Sequence, residues 1–158
     1  MPAPTDFLAV DQTPQSASLD TLEVAVRPSG VGTPAYVRVP ILGEVKVTPA
    51  GNIQTYDAYA DDADGAWQYA VKVGGSFTLT FRTAANERNA VVNSLIQASL
   101  KTGTGAHILF KVTRSSGAVY SGEAVIQQAD PMSGARSIAE TSFTATGNGE
   151  LVYDAPTP

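Results

Sequence analysis

Residues 86–101 read NERNAVVNSLIQASLK. Val91, Val92, Leu95, Ile96 and Leu100 recur on one face of a 3.6-residue period, while Arg88, Asn93, Ser94 and Gln97 fall elsewhere. Asn86 is a candidate N-cap, Glu87 suits the positive end of the helix dipole, and Lys101 followed by Gly103 marks the stop. No other segment has a helical period, and the rest of the ordered chain reads as strand. One amphipathic helix has one apolar stripe to bury, and a sheet is the only large partner available. The spacing therefore predicts a mainly β fold, a β-sandwich or partly closed barrel with one flanking α-helix over about residues 86–101.

The strands lie on both sides of that helix. Gln68 to Arg82 alternates most regularly, with Tyr69, Val71, Val73, Phe77, Leu79 and Phe81 odd and Lys72, Ser76, Thr78, Thr80 and Arg82 even. The alternation runs through Gly74 and Gly75, where a bend is expected. Fifteen residues at about 3.3 Å each span about 50 Å, which is long for a small domain and suits a barrel wall or a sheet continued between subunits. Upstream, Leu22, Val24 and Val26 alternate with Glu23, Ala25 and Arg27. Tyr36 to Thr48 repeats the pattern, with Arg38, Glu44 and Lys46 on the polar side and Pro40 and Gly43 suggesting a bulge or an edge. Downstream, Ala106–Arg114 and Ala118–Ala129 flank a Ser115-Ser116-Gly117 hairpin turn. Asp130-Pro131 and Gly134 read as a loop, Ser137–Thr146 as a strand, and Leu151–Tyr153 as a last short strand.

Residues 48–67, TPAGNIQTYDAYADDADGAW, read as the longest connection, with a possible short strand around Ile53 to Tyr59. A loop near 20 residues inside a compact domain is uncommon and is usually functional or mobile. Its aromatic and acidic residues, Tyr56, Asp57, Tyr59, Asp61, Asp62, Asp64 and Trp67, suit a contact loop between subunits, since aromatics among polar groups favour interface cores. The bland alternative is a solvated acidic loop. A calcium site of the EF-hand pattern fails, because acids would be needed where Ala60 and Val71 stand. The aromatics also leave room for a carbohydrate-binding patch centred on Trp67, with Tyr56, Tyr59 and Tyr69.

The organisation expected is an extended arm over 1–18, one β domain over 19–153 with the loop 48–67, and a tail over 154–158. Phe7, Leu8 and Val10 are apolar residues with which the arm could dock; a frayed terminus is the alternative. With 43% apolar and 16% charged residues the chain can build a core. The net charge of −5 disfavours tight nucleic-acid binding, which needs a basic face. There are no cysteines, which excludes disulfides and thiolate chemistry. No signal peptide and no apolar run near 20 residues occurs, so a soluble protein made in the cytoplasm is expected. The one histidine, His107, opens a strand and reads as exposed or interfacial. No nucleophile elbow, P-loop or dinucleotide fingerprint is present, and neither catalytic residues nor a cofactor are expected.

The order of elements carries a resemblance. A strand ending FTLTFRT leads into NERNAVVNSLIQASLKTG, then ILFKVTRSSGAVYSGEAVIQQAD, then SIAETSFTATGNGELVYD. This order, with the Gly-rich finish after SFTAT, resembles the tail tube proteins of long-tailed bacteriophages and the related tubes of contractile injection systems, over about residues 36–153. The resemblance implies a structural virion protein, not an enzyme, made in the host bacterial cytoplasm and carried in the virion tail. It implies hexameric rings whose inner strands join into one barrel, and stacking through a long loop and terminal arms. Its partners would be sister copies and other tail components (tape measure, terminator, distal tail protein), with DNA passing through without specific binding and no membrane involved. Six copies would carry −30, which suits a channel that must not grip phosphate. The polar strand face, Glu44, Lys46, Lys72, Ser76, Thr78 and Thr80, would meet the lumen or solvent, although Arg38, Lys46, Lys72 and Arg82 make it less than uniformly acidic. A terminator or connector of related fold is the neighbouring alternative.

Overall fold

The computed structural model describes residues 20–26, 33–59, 66–132 and 139–157, and at 56–59 and 66–69 the backbone alone. The arm with Phe7, Leu8 and Val10, and Asp61, Asp62 and Asp64, lie outside the described residues. Eight strands form one antiparallel sheet: β1 (Thr21–Val26), β2 (Val37–Arg38), β3 (Leu42–Tyr59), β4 (Ala66–Thr83), β5 (His107–Thr113), β6 (Val119–Met132), β7 (Glu140–Gly147) and β8 (Val152–Asp154). The lateral order is β2-β1-β5-β6-β7-β4-β3, with β8 paired to β6.

That order explains the shape. β2 and β3 are consecutive in sequence yet stand at opposite ends of the sheet, and only residues 39–41 join them. A link so short forces the sheet to curl until its ends approach. The Phe77 ring of β4 accordingly lies 5.6 Å from the Phe110 ring of β5, although β7 and β6 stand between those strands. β6 turns the corner. Its first half, Val119–Val125, pairs with β5, and Ala124–Met132 pairs with β7. The sheet stays open between β2 and β3, so the fold is a sandwich-like, unclosed barrel. Inside lie Leu22, Leu79, Phe81, Ile108, Phe110 and Phe143, all at most 1% exposed. Phe81 and Phe143 stack at 4.9 Å.

The helix α1 spans Ala90–Leu100 and caps the core with Val92, Leu95 and Ala98. It begins later than its periodicity suggests. Asn89 is the N-cap, its side chain accepting from the Val91 and Val92 amides, while Asn86 accepts from the Arg88 amide in a preceding turn. Leu100, expected on the buried stripe, is 80% exposed, because Ala98 takes the last core position. Thr83 anchors the entry to the helix. Its buried hydroxyl donates to the Pro40 carbonyl at 2.6 Å and accepts from the Ala85 amide at 3.1 Å. Asp20, at the start of β1, accepts from the Ser115 amide at 2.8 Å and lies 2.9 Å from Arg114 Nε, which fastens the expected β5–β6 turn.

Two expected loops are strand. Residues 48–59 and 66–67, read as part of a long connection, belong to β3 and β4, which pair from Leu42↔Thr83 to Tyr59↔Ala66. Asp130 and Pro131, read as a loop, lie in β6 opposite Ser142 and Thr141. Conversely, the expected strand over 36–48 is broken at 39–41, where Ile41 takes φ 45°.

Candidate assembly interface

The half-sheet β3-β4-β7-β6 has one face on the core and one facing away. Its registers line the outward residues into rows across all four strands. The first row is Glu44–Arg82–Ser142–Asp130, the second Lys46–Thr80–Thr144–Gln128, and the third Thr48–Thr78–Thr146–Val125. Ala50 and Ser76 begin a fourth. Glu44, Lys46, Ser76, Thr78 and Thr80, expected on one polar face, thus stand together on it.

Lys72 does not join them. Gly51 pairs with Gly75 but Asn52 pairs with Val73, so Gly74, at φ 81°, is an extra residue on β4. One inserted residue inverts the alternation beyond it. Lys72 therefore lies on the core side, across Gly51, where an added Cβ would sit 2.0 Å from its Cε. It borders a cleft of about 540 Å³ with Pro49, Phe77, Gly147, Glu150 and Leu151. Val71 and Val73, expected inward, lie on the outward face instead and are 45% and 38% exposed.

Of the two cations on the outward face among the described residues, Arg82 is matched and Lys46 is not. Arg82 Nη2 donates to Glu44 Oε2 at 2.7 Å, and its Nη1 lies 3.6 Å from Glu140 Oε2. Arg38 sits opposite Glu23 on the distant β2–β1 pair. Lys46 has no ion pair among the described residues. Asp130 accepts only the Gln128 amide, at 2.8 Å to both oxygens, and has no cationic partner there. The sequence pattern put Arg82 on the polar face but did not bring Gln128 and Asp130 onto it. A second bulge, between Ile126 and Gln128, reverses the parity of β6, so buried Ala124 and Ile126 and outward Gln128 and Asp130 are all even.

Among the described residues both margins of this half-sheet are open, and β3, 18 residues long, pairs only with β4. β5 pairs with β6 no further than Val125, so residues 127–132 have no strand on that side among the described residues. Pro49 and Pro131 sit on these margins, where a missing N–H costs a sheet least. Beyond Thr78, the last β4 residue paired to β7, the β3–β4 hairpin runs on alone as an arm of about 36 Å. Ile53 on this arm is 66% exposed. Backbone register sets Tyr56 opposite Tyr69, Asp57 opposite Gln68, Ala58 opposite Trp67 and Tyr59 opposite Ala66.

His107 is tied, not free. Its Nδ1 lies 2.5 Å from Glu123 Oε1, Asn148 Nδ2 donates to the same oxygen at 3.2 Å, and the Asn148 amide donates to the Glu123 carbonyl at 2.8 Å. The cluster pins the β7–β8 turn. Among the described residues no group of three or more His, Asp or Glu is placed to hold a metal, and no helix is long and apolar enough to cross a membrane.

The open, curled antiparallel sheet with its flanking helix is tail-tube-like in fold, as its likeness to the solved SPP1 tail tube shows. Among solved structures the chain is similar to the tail of an empty gene transfer agent particle refined with C6 symmetry, at 17% identity over 85% of this chain and 96% of that one, with a TM-score of 0.60. It is similar to the SPP1 tail tube at 10% identity, covering 89% of this chain and 79% of that one, with a TM-score of 0.65. The tube-terminating cap of the anti-feeding prophage aligns over 98% of this chain and 99% of that one, at 16% identity and a TM-score of 0.58. No family model matches the sequence, and no curated protein matches it. At such identities the likeness is one of fold.

Proposed function

We propose that this chain is the building block of a phage-type tail tube, a structural role in the virion tail with no chemistry of its own. The observation that carries it is the pair of open margins. β3, β4, β7 and β6 alternate in direction, so β6 of one copy runs antiparallel to β3 of the next when copies are related by rotation about an axis along the strands. Each addition closes an exposed edge that would otherwise template aggregation. The helix and the other half-sheet lie on the core side, so closure sets this bulk outside and the hydroxyl rows inside. Six copies, the symmetry of the gene transfer agent tail, contribute four strands each. At ~4.8 Å per strand the circumference is about 115 Å before tilt widens it, a bore of about 35 Å between backbones, wider than a nucleic-acid duplex.

The β3–β4 arm then reaches the next ring. An isolated two-stranded hairpin is marginal in water, and Ile53, Val71 and Val73 are apolar groups in need of cover. Tyr56, Asp57, Tyr59, Asp61, Asp62, Asp64 and Trp67 belong to or adjoin this arm and are its stacking candidates, with Phe7, Leu8 and Val10 of the N-terminal segment. DNA would pass a face of serine, threonine and paired charges without specific binding. Tape-measure, terminator and distal tail proteins would be its neighbours. Negative-stain microscopy of the concentrated protein tests the reading: rings or tubes are expected, and a species that stays monomeric at every concentration overturns it. The likeness to a tube-terminating cap favours one second reading, a terminator, which the copy number in a particle separates from a tube protein.

A further inference from the structure

We infer that Lys46 of one copy pairs with Asp130 of the next, and that this ion pair sets the stagger between neighbouring copies. The inference rests on the ring reading above and adds the register of the joint. Lys46 stands on the open margin β3 and Asp130 on the open margin of β6, both on the outward face and both exposed. Among the described residues they are the cation and the carboxylate of that face left without an opposite charge, since Arg82 already holds Glu44 and Glu140.

Three small staggers keep the outward faces aligned, because register shifts must be even to preserve the face. With no stagger the rows continue unbroken, and Glu44 meets Asp130 of the adjoining copy. Like charges directly opposite are unfavourable. A shift of two residues in one sense sets Leu42 against Asp130, which satisfies neither charge. The opposite shift sets Lys46 against Asp130, Thr48 against Gln128 and Glu44 against Met132. Only this register pairs opposite charges, and barrel closure demands a stagger in any case. Among the described residues, the pair also removes the last unmatched cation from the face toward the bore.

The cysteine-free chain makes the test clean. Within one copy β3 and β6 are three strand spacings apart, about 14 Å, too far for a disulfide. A Lys46→Cys/Asp130→Cys variant, oxidised under conditions where microscopy shows rings, is expected to give a ladder of covalent oligomers on a non-reducing gel. Glu44→Cys/Asp130→Cys is expected to stay monomeric on the same gel. A ladder from the Glu44 pair in place of the Lys46 pair, or rings with no ladder from either, overturns the inference while leaving the ring intact. If the unmodified protein forms no rings, the ring reading itself fails, and the inference with it. In a second arm, Lys46→Asp and Asp130→Lys are each expected to abolish rings, and the double exchange to restore them. Rings from both single variants as abundant as from the parent protein would sink the pairing. Circular dichroism checks that each variant is folded, as two exposed positions permit.

Discussion

Ile41 is held at φ 45° with its side chain 68% exposed, at the corner where the chain crosses from β2 to β3. A β-branched residue in the left-handed region is strained by about 1–2 kcal/mol, and glycine there costs about 0.5–1 kcal/mol of unfolded-state entropy. Ile41→Gly is therefore expected to stabilise the monomer by up to about 1 kcal/mol in denaturant titration. Gly147 makes the opposite case. A Cβ there would lie 2.4 Å from ring carbons of Phe77, which is buried against Phe110 and cannot step aside. Gly147→Ala is expected to cost about 1–3 kcal/mol by overpacking, read as a lowered denaturation midpoint with an unchanged slope. Neither effect is visible in sequence, because both depend on where a distant backbone or ring has been brought.

At the scale of elements, the caps and the bulges decide the outcome. Asn89→Ala is expected to destabilise by about 1 kcal/mol, and Asn86→Ala by less, because Asn89 takes two helix amides and Asn86 only a turn amide. The helix, the β5–β6 hairpin and the alternation of β4 up to Phe77 were legible, since each buries a regular face against the core. The arm was legible only in part. Its β4 strand was read from the alternation of Gln68–Arg82, but its β3 strand was placed in a long connection with a short strand around Ile53 to Tyr59, because residues 52–55 are exposed on both faces and no burial selects a period there. The bulges were equally silent. A Gly-Gly pair announces a bend, but nothing in it announces that Val71 and Val73 cross to the other face. Deleting Gly74 is expected to return them to the core side, leaving the body folded by circular dichroism while rings disappear from the micrographs.

For the whole molecule, charge on the outward face is finely balanced. Glu44, Asp130 and Glu140 oppose Lys46 and Arg82, a net of −1 per copy. Glu44→Gln with Glu140→Gln makes it +1 and unmasks Arg82. Assembled tubes of that variant are expected to bind short duplex DNA in 50 mM salt and release it by about 200 mM, whereas the parent tubes bind none; fluorescence anisotropy reads the difference. Lys72 stays out of this balance, because the Gly74 bulge turns it to the other side of the sheet.

The pairing of β1 with β5 has a consequence for how the chain is made. Thr21 meets Thr113 and Val26 meets Ile108, so apart from its two-residue contact with β2, β1 waits for a partner more than 80 residues downstream. At ribosomal speeds of 5–20 residues per second that wait is about 4–18 s. The β3–β4 pair, whose strands lie next to each other in sequence, emerges within it and zips in microseconds. Each nascent chain thus displays its sticky margin before the half that buries its core exists, and neighbouring polypeptides on one messenger would meet margin first.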